Sequence, residues 1–177
     1  MDCACARCAM CCESRRGWFA YGEMARTAEA LGLTERELFQ QSLAVDYFYE
    51  DGDVDRPIFV LIPNATQLPA GQELPFDPRG RCVFYQTDGR CGIHATKPAE
   101  CRFFDHDKTP EELMAHRLAL VEEWKAHHES IVWLLGREPR IRRPHAADVL
   151  IFQANNAQYE QFRQTPPRAG EARREHR

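Results

Sequence analysis

Five cysteines crowd into ten residues at positions 3, 5, 8, 11 and 12, with small alanines between several of them. No helical or strand period can be read there, so the segment reads as a ligand loop. Its core is Cys5-x2-Cys8-x2-Cys11-Cys12. Thiolates three positions apart can converge on one ion from a tight turn, as in zinc knuckles. Three at successive x2 spacings also match the first ligands of a bacterial ferredoxin cluster. Spacing leaves zinc, iron and an iron–sulfur cluster such as [4Fe-4S] open. Adjacent Cys11 and Cys12 point their side chains in different directions in most backbone conformations, which favours a site larger than a single tetrahedron.

Cys82, Cys91 and Cys101 come much later, so the cysteine loop has to fold back to meet them. Metal binding would then close a loop of about seventy residues and tie the site to tertiary stability. A tetrathiolate zinc site, like an oxidised cubane with four cysteines, carries a net negative charge and wants cations nearby. Arg7, Arg15, Arg16, Arg79, Arg81, Arg90, Lys97 and Arg102 all stand close to the cysteines.

The remaining composition bounds the setting. A chain of 177 residues, 44% hydrophobic, has enough material for one domain with a real core. We expect that domain over residues 1–162, followed by a basic, disordered tail over 163–177. The tail carries +3 of formal charge and the body −7, for −4 in all. A body so acidic is a poor general nucleic-acid binder, so no nucleic acid is expected as a partner. Nothing approaches the roughly 18 apolar residues of a membrane helix, and no basic segment leads into an apolar run at the start. The chain therefore reads as soluble and cytoplasmic, with no membrane partner. In that reducing compartment clustered thiols point to metal ligation or redox chemistry more than to disulfides.

A coarse reading of the elements places the cysteines. Met24, Ala28 and Leu31 have helical spacing, with Gly32 set to end the helix. Thr34-Glu35-Arg36-Glu37 is a capping box, and the helix it opens is expected to run through Leu38, Leu43 and Val45 to Tyr49, stopping before Asp51-Gly52. Ile58 to Ile62 has the length and β-branching of a strand, and residues 63–80 read as loop. Val83-Phe84-Tyr85 and Gly92-Ile93-His94 flank the turn signal Thr87-Asp88-Gly89, which predicts a hairpin whose strands begin with Cys82 and Cys91. Thr109-Pro110-Glu111-Glu112 opens a long helix. Leu113, Leu120, Val121, Trp124, His128, Ile131, Leu134 and Leu135 form its stripe, up to Gly136. Trp124 and Trp133 fit packing on that helix, and a last helix is expected from about Ala146 to Phe162. The fold class is α+β: a small irregular cysteine-rich core with a β-hairpin, packed against several helices.

Four segments taken together carry a resemblance. They are Cys5-Ala6-Arg7-Cys8-Ala9-Met10-Cys11-Cys12, Cys82-Val83-Phe84, Asp88-Gly89-Arg90-Cys91-Gly92-Ile93-His94, and Lys97-Pro98-Ala99-Glu100-Cys101-Arg102-Phe103-Phe104. In this order they resemble the YkgJ-type cysteine-cluster family, described as zinc- or iron-chelating. A similar domain occurs in flagellin lysine methylases, where it is associated with an iron–sulfur cluster. The resemblance implies Cys5, Cys8, Cys11, Cys12, Cys82, Cys91 and Cys101 as metal ligands. His94 stands where tyrosine is common and Lys97 where arginine is common. Neither change removes a thiolate, and His94 adds a candidate nitrogen ligand.

Other features weigh less. Buried inert thiols are the alternative for the seven matched cysteines, and their spacing favours ligation. Cys3 lies outside the motif and is as readily a spare or regulatory thiol. His94 reads as a surface histidine before it reads as a ligand. Asp105 and His106 read as solvated before they read as groups orienting a ligand. His116, His127 and His128 lie on a helix without a His-Glu-x-x-His or paired Glu-x-x-His pattern. No phosphate-binding glycine loop and no Gly-x-Ser-x-Gly elbow occurs, so any catalysis would rest on the metal. The functional reading is a metal-binding protein chelating zinc or iron. The alternatives are an iron–sulfur protein acting in electron transfer or protein modification, and a zinc-stabilised interaction module that holds a protein partner.

Overall fold

The computed structural model describes residues 12, 16–49, 56–75, 80–103 and 108–140, all within one compact unit, Met1–Ile141. The expected last helix, the boundary at residue 162 and the basic tail lie outside the described residues, as do Cys3, Cys5, Cys8 and Cys11. The described elements are α1 (Glu23–Leu31), α2 (Glu35–Ser42), β1 (Leu43–Phe48), β2 (Ile58–Pro63), a 3-10 turn (His94–Thr96), α3 (Ala99–Phe103), α4 (Pro110–Lys125) and α5 (His128–Leu135). The class is α+β, a two-stranded antiparallel sheet set among helices. Among the described residues no helix is long and apolar enough to cross a membrane.

Local codes set most helix ends. Gly32 and Gly136 close α1 and α5 in the left-handed conformation, with φ of 68° and 70°, where a Cβ would be strained. Thr34 and Thr109 each accept from the backbone N–H three residues on, while Glu37 and Glu112 reach back to the capping residue's N–H.

Three of the expected elements need correction. The second helix stops at Ser42, and Leu43–Phe48 is a strand paired with Ile58–Pro63. Val45, Tyr47 and Phe48 are β-branched or aromatic, and their partner ladder outweighs the helical reading. The long helix is broken at Ala126-His127, so the apolar stripe passes from α4 to α5. His128 sits at the edge of that stripe, its ring 6.0 Å from that of buried Phe59 and its ring nitrogen 3.1 Å from Glu138. Finally, the expected hairpin over 83–94 contains only the single antiparallel bridge Tyr85↔Cys91. The backbone N–H groups that a longer ladder would need go elsewhere: Cys82 N donates to Cys12 O at 2.7 Å and Val83 N to Asn64 O at 3.0 Å.

The core lies around β2, whose residues from Phe59 to Pro63 are all buried. Leu120, Val121 and Trp124 from α4 and Ile131 and Leu134 from α5 pack into the same cluster, with Leu38 and Phe39 of α2. Trp124 is 1% exposed, and its indole N–H donates to Phe19 O at 2.7 Å, so the largest core side chain keeps its polar atom satisfied. Trp133 departs from the expected packing: it is 51% exposed, with the Arg36 guanidinium 4.6 Å from its ring. Phe19 N donates to Leu61 O at 2.9 Å, which lays residues 16–20 alongside β2. That extended segment leads from the core to the cysteines.

Candidate metal centre

Cys82, Cys91 and Cys101 are positioned by three different pieces of backbone. Cys82 bridges to Ala65 and opens a tight turn closed by Tyr85 N to Cys82 O at 3.0 Å. Cys91 faces Tyr85 across a second turn, in which Gly89 has a φ of 83° and Asp88 Oδ1 accepts from Arg90 N at 3.1 Å. Cys101 is carried by the short α3. The first N–H of that helix, at Ala99, donates to Glu23 Oε2 at 2.7 Å. The same carboxylate accepts from Ala20 N at 2.9 Å and pairs with Arg102 and Arg26. Glu23 is buried, so one carboxylate at the start of α1 fixes the start of α3 as well.

Residues 17 and 18 run beside residues 100 and 101. Gly17 N–H meets Cys101 Sγ at 3.3 Å, Trp18 N donates to Glu100 Oε2 at 2.8 Å, and Glu100 N donates to Trp18 O at 3.2 Å. A Cβ on Gly17 would fall 2.6 Å from Cys101 Sγ and 2.7 Å from Cys101 N, so only glycine permits this approach. Arg117 of α4 holds Glu100 through Nε at 2.9 Å, and its guanidinium lies 4.5 Å from the Trp18 ring centroid. Trp18 Nε1 donates to Asp46 Oδ2 at 2.8 Å.

The four described cysteines of the motif influence one another. Burial pushes the Cys82 thiol up to about 11; the N–H of Phe84 opposes this, neighbouring Cys91 adds to it, and Arg16 and the N–H of Tyr85 oppose it. Burial likewise holds the Cys101 thiol well above its ordinary value, with Glu100, Cys82 and Cys12 adding to the rise and the Gly17 N–H opposing it. One backbone donor, the Gly17 N–H, is aimed at the Cys101 sulfur from 3.3 Å. A thiol sulfur is a weak acceptor and a thiolate a much stronger one, so this donor is spent best on an ionised sulfur. Burial alone forbids that charge, and a bound cation removes the penalty.

The structure therefore brings Cys12, Cys82, Cys91 and Cys101 into one neighbourhood, while Cys5, Cys8 and Cys11 lie outside the described residues. Among the described residues alone, no three His, Cys, Asp or Glu side chains are disposed to hold an ion. His94 follows one turn after Cys91, its N–H donating to Cys91 O at 3.1 Å. His116 stacks on Phe103 at 4.1 Å and His127 on Tyr21 at 3.5 Å. Asp105 and His106 lie outside the described residues.

Clustered cysteine sulfur is the donor chemistry that a thiophilic cation takes, and the sequence comparison points the same way. A family model matches residues 4–118 under the description "CxxCxxCC: Putative zinc- or iron-chelating domain". The chain belongs to this family. The CxxCxxCC match takes in all seven cysteines of the motif and ends within α4. No curated protein and no solved structure matches the chain.

Of the flanking cations read from sequence, Arg16 stands out, 7% exposed and within electrostatic reach of Cys82 and Asp46. Arg102 is engaged by Glu23, Arg90 lies 3.7 Å from Asp88, and Arg81 lies over the Tyr85 ring at 5.2 Å. Arg7, Arg15 and Arg79 lie outside the described residues. Gly17, Glu23, Asp46 and Arg117 carry no motif signal, because each acts through a residue distant in sequence.

Proposed function

We propose that the CxxCxxCC domain binds zinc or iron through thiolates of Cys12, Cys82, Cys91 and Cys101 together with Cys5, Cys8 and Cys11, in the reducing environment of the cytoplasm. The observation that carries this reading is the Gly17 backbone N–H set 3.3 Å from Cys101 Sγ, at a point where Cys82 N also bonds Cys12 O and Cys91 bridges to Tyr85 in the turn that follows Cys82. Such a receptor favours thiolates over thiols once a cation is present. The bound ion would supply charge neutralisation and cross-link the cysteine loop, the turns over 82–94 and α3. Its role is at least partly structural, because Cys101 sits on a helix pinned to α1 and α4.

A second reading is an iron–sulfur cluster of the [4Fe-4S] kind, serving electron transfer or the modification of another protein. The three cysteines at successive x2 spacings favour it, and seven thiolates exceed what one tetrahedral ion uses. Hydrogen bonds to sulfur also tune cluster potentials. Anaerobic purification followed by elemental analysis and a visible spectrum separates the readings. Brown charge-transfer absorption with iron and sulfide supports the cluster; a colourless protein with stoichiometric zinc supports chelation. Metal-free protein whose cysteines all react at once with a thiol reagent in the native state overturns both.

A further inference from the structure

We propose that Arg16 is the internal counter-cation of the cysteine site, and that its division between Asp46 and the thiolates sets the affinity for a thiophilic divalent cation. The inference rests on the metal-binding reading above and concerns a residue outside the cysteine motif. Arg16 is buried, and the two residues that follow it are both anchored. The next residue, Gly17, is held at Cys101 Sγ, and Trp18 is tied through its indole to Asp46. The anchored segment thus carries this buried charge between the contact to Cys101 and the bond to Asp46, and Asp46 and Cys82 both act on it electrostatically.

The direction of the effect follows from the binding reaction. At neutral pH unmodified cysteines are thiols. Taking up M²⁺ by four of them gives [M(SR)₄]²⁻ and releases four protons, so the site passes from neutral to a net charge of −2. An enclosed guanidinium favours the charged product, and a neighbouring carboxylate opposes it. Burial pushes the Asp46 carboxyl up from its ordinary value, and against this it accepts from Trp18 Nε1 at 2.8 Å and from its neighbour's N–H, Tyr47 N, at 2.9 Å, with Arg117 also favouring its charged form. If Arg16 served only as the structural partner of Asp46, neutralising either member would harm folding and move metal affinity in no ordered way. A counter-cation requires opposite signs.

The test is anaerobic titration of the full-length protein with Co²⁺, following the thiolate-to-cobalt charge-transfer absorption and competing with a chelator. Arg16→Met should weaken Co²⁺ binding by about tenfold or more, Arg16→Lys should restore most of the loss, and Asp46→Asn should tighten binding. The absorption spectrum should persist in all three, since no ligand is lost. Unchanged affinity in Arg16→Met, or weakening in Asp46→Asn, overturns the proposal. Should Arg16→Met fail to fold, the Arg16→Lys and Asp46→Asn arms decide it alone, since tighter binding in Asp46→Asn is required in either case. A wild-type protein with no thiolate-to-cobalt absorption sinks the metal-binding reading and this inference with it; wild-type absorption with unresponsive variants sinks the inference alone.

Discussion

Gly17 and Cys101 are in contact through the backbone of one and the sulfur of the other, with 3.3 Å between N and Sγ and no room for a Cβ between them. The obstacle to a larger residue is partly the Cys101 main-chain nitrogen, which cannot swing away as a flexible side chain would. Gly17→Ala is therefore expected to destabilise the protein by about 1–3 kcal/mol, the range for overpacking, and to displace the sulfur. Chemical denaturation gives the first effect. Metal content after dialysis against a weak chelator gives the second, and an unchanged value for both would remove Gly17 from the site.

Replacing a proposed ligand should uncouple stability from metal. We expect wild-type protein to lose several degrees of melting temperature when a strong chelator is added, and Cys82→Ser or Cys101→Ser to melt low with or without it. Calorimetry with and without chelator checks this. A Cys82→Ser protein that retains the chelator-dependent shift would exclude Cys82 from the ligand set.

Alkali should act on the metal-free protein in a defined window. Because the folded-state value of Cys82 is raised, from 9.0 to about 11, the neutral thiol contributes stability that is fully present below about pH 9 and lost as pH climbs towards 11. Two units correspond to about 3 kcal/mol at most. Cys101, raised in the same direction, extends the loss further. Urea midpoints of metal-free protein across that range should fall steeply, while Cys82→Ala should flatten the curve.

Glu23 offers a test of the support behind the cysteines. Its side chain is 4% exposed and accepts from two backbone N–H groups and two arginines. Glu23→Ala leaves Ala20 N and Ala99 N without their acceptor and Arg102 without its anion. Arg102 is itself 43% exposed and recovers some hydration, which trims the expected loss to about 2–4 kcal/mol. Glu23→Gln keeps one acceptor and should lose less. Urea denaturation of the two variants gives the comparison, and equal losses would contradict the charge-assisted role.

The parts of the fold encoded by neighbouring residues were legible in the sequence. The capping boxes at Thr34 and Thr109 and the helix stops at Gly32 and Gly136 depend on contacts within five residues, and they read correctly. Where a distant partner decides, reading failed. Val45 to Phe48 follow a helix and look like its continuation until Ile58–Pro63 supplies a ladder for them. The stripe over α4 and α5 keeps its apolar residues across a break, because spacing does not register that the Ala126-His127 peptide turns and His127 stacks on Tyr21. The turn at Asp88-Gly89 was evident, but its flanks do not form strands, since Cys82 and Val83 give their N–H groups to Cys12 and Asn64. The cysteines announce themselves by spacing. What surrounds them does not: Gly17, Asp46 and Glu23 gain their significance from residues that only tertiary structure brings near.

The pairing of Gly17 with Cys101 joins positions 84 residues apart. Chain segments so remote meet late, after the entropy of closing the intervening loop has been overcome, whereas α1, α2 and the β1–β2 ladder need only nearer partners. Loop closure therefore favours the pairing of α1, α2, β1 and β2 before Gly17 meets Cys101. A nascent chain would pass through an interval in which Cys101 has no Gly17 beside it, so exclusion of oxidant during synthesis bears directly on that sulfur.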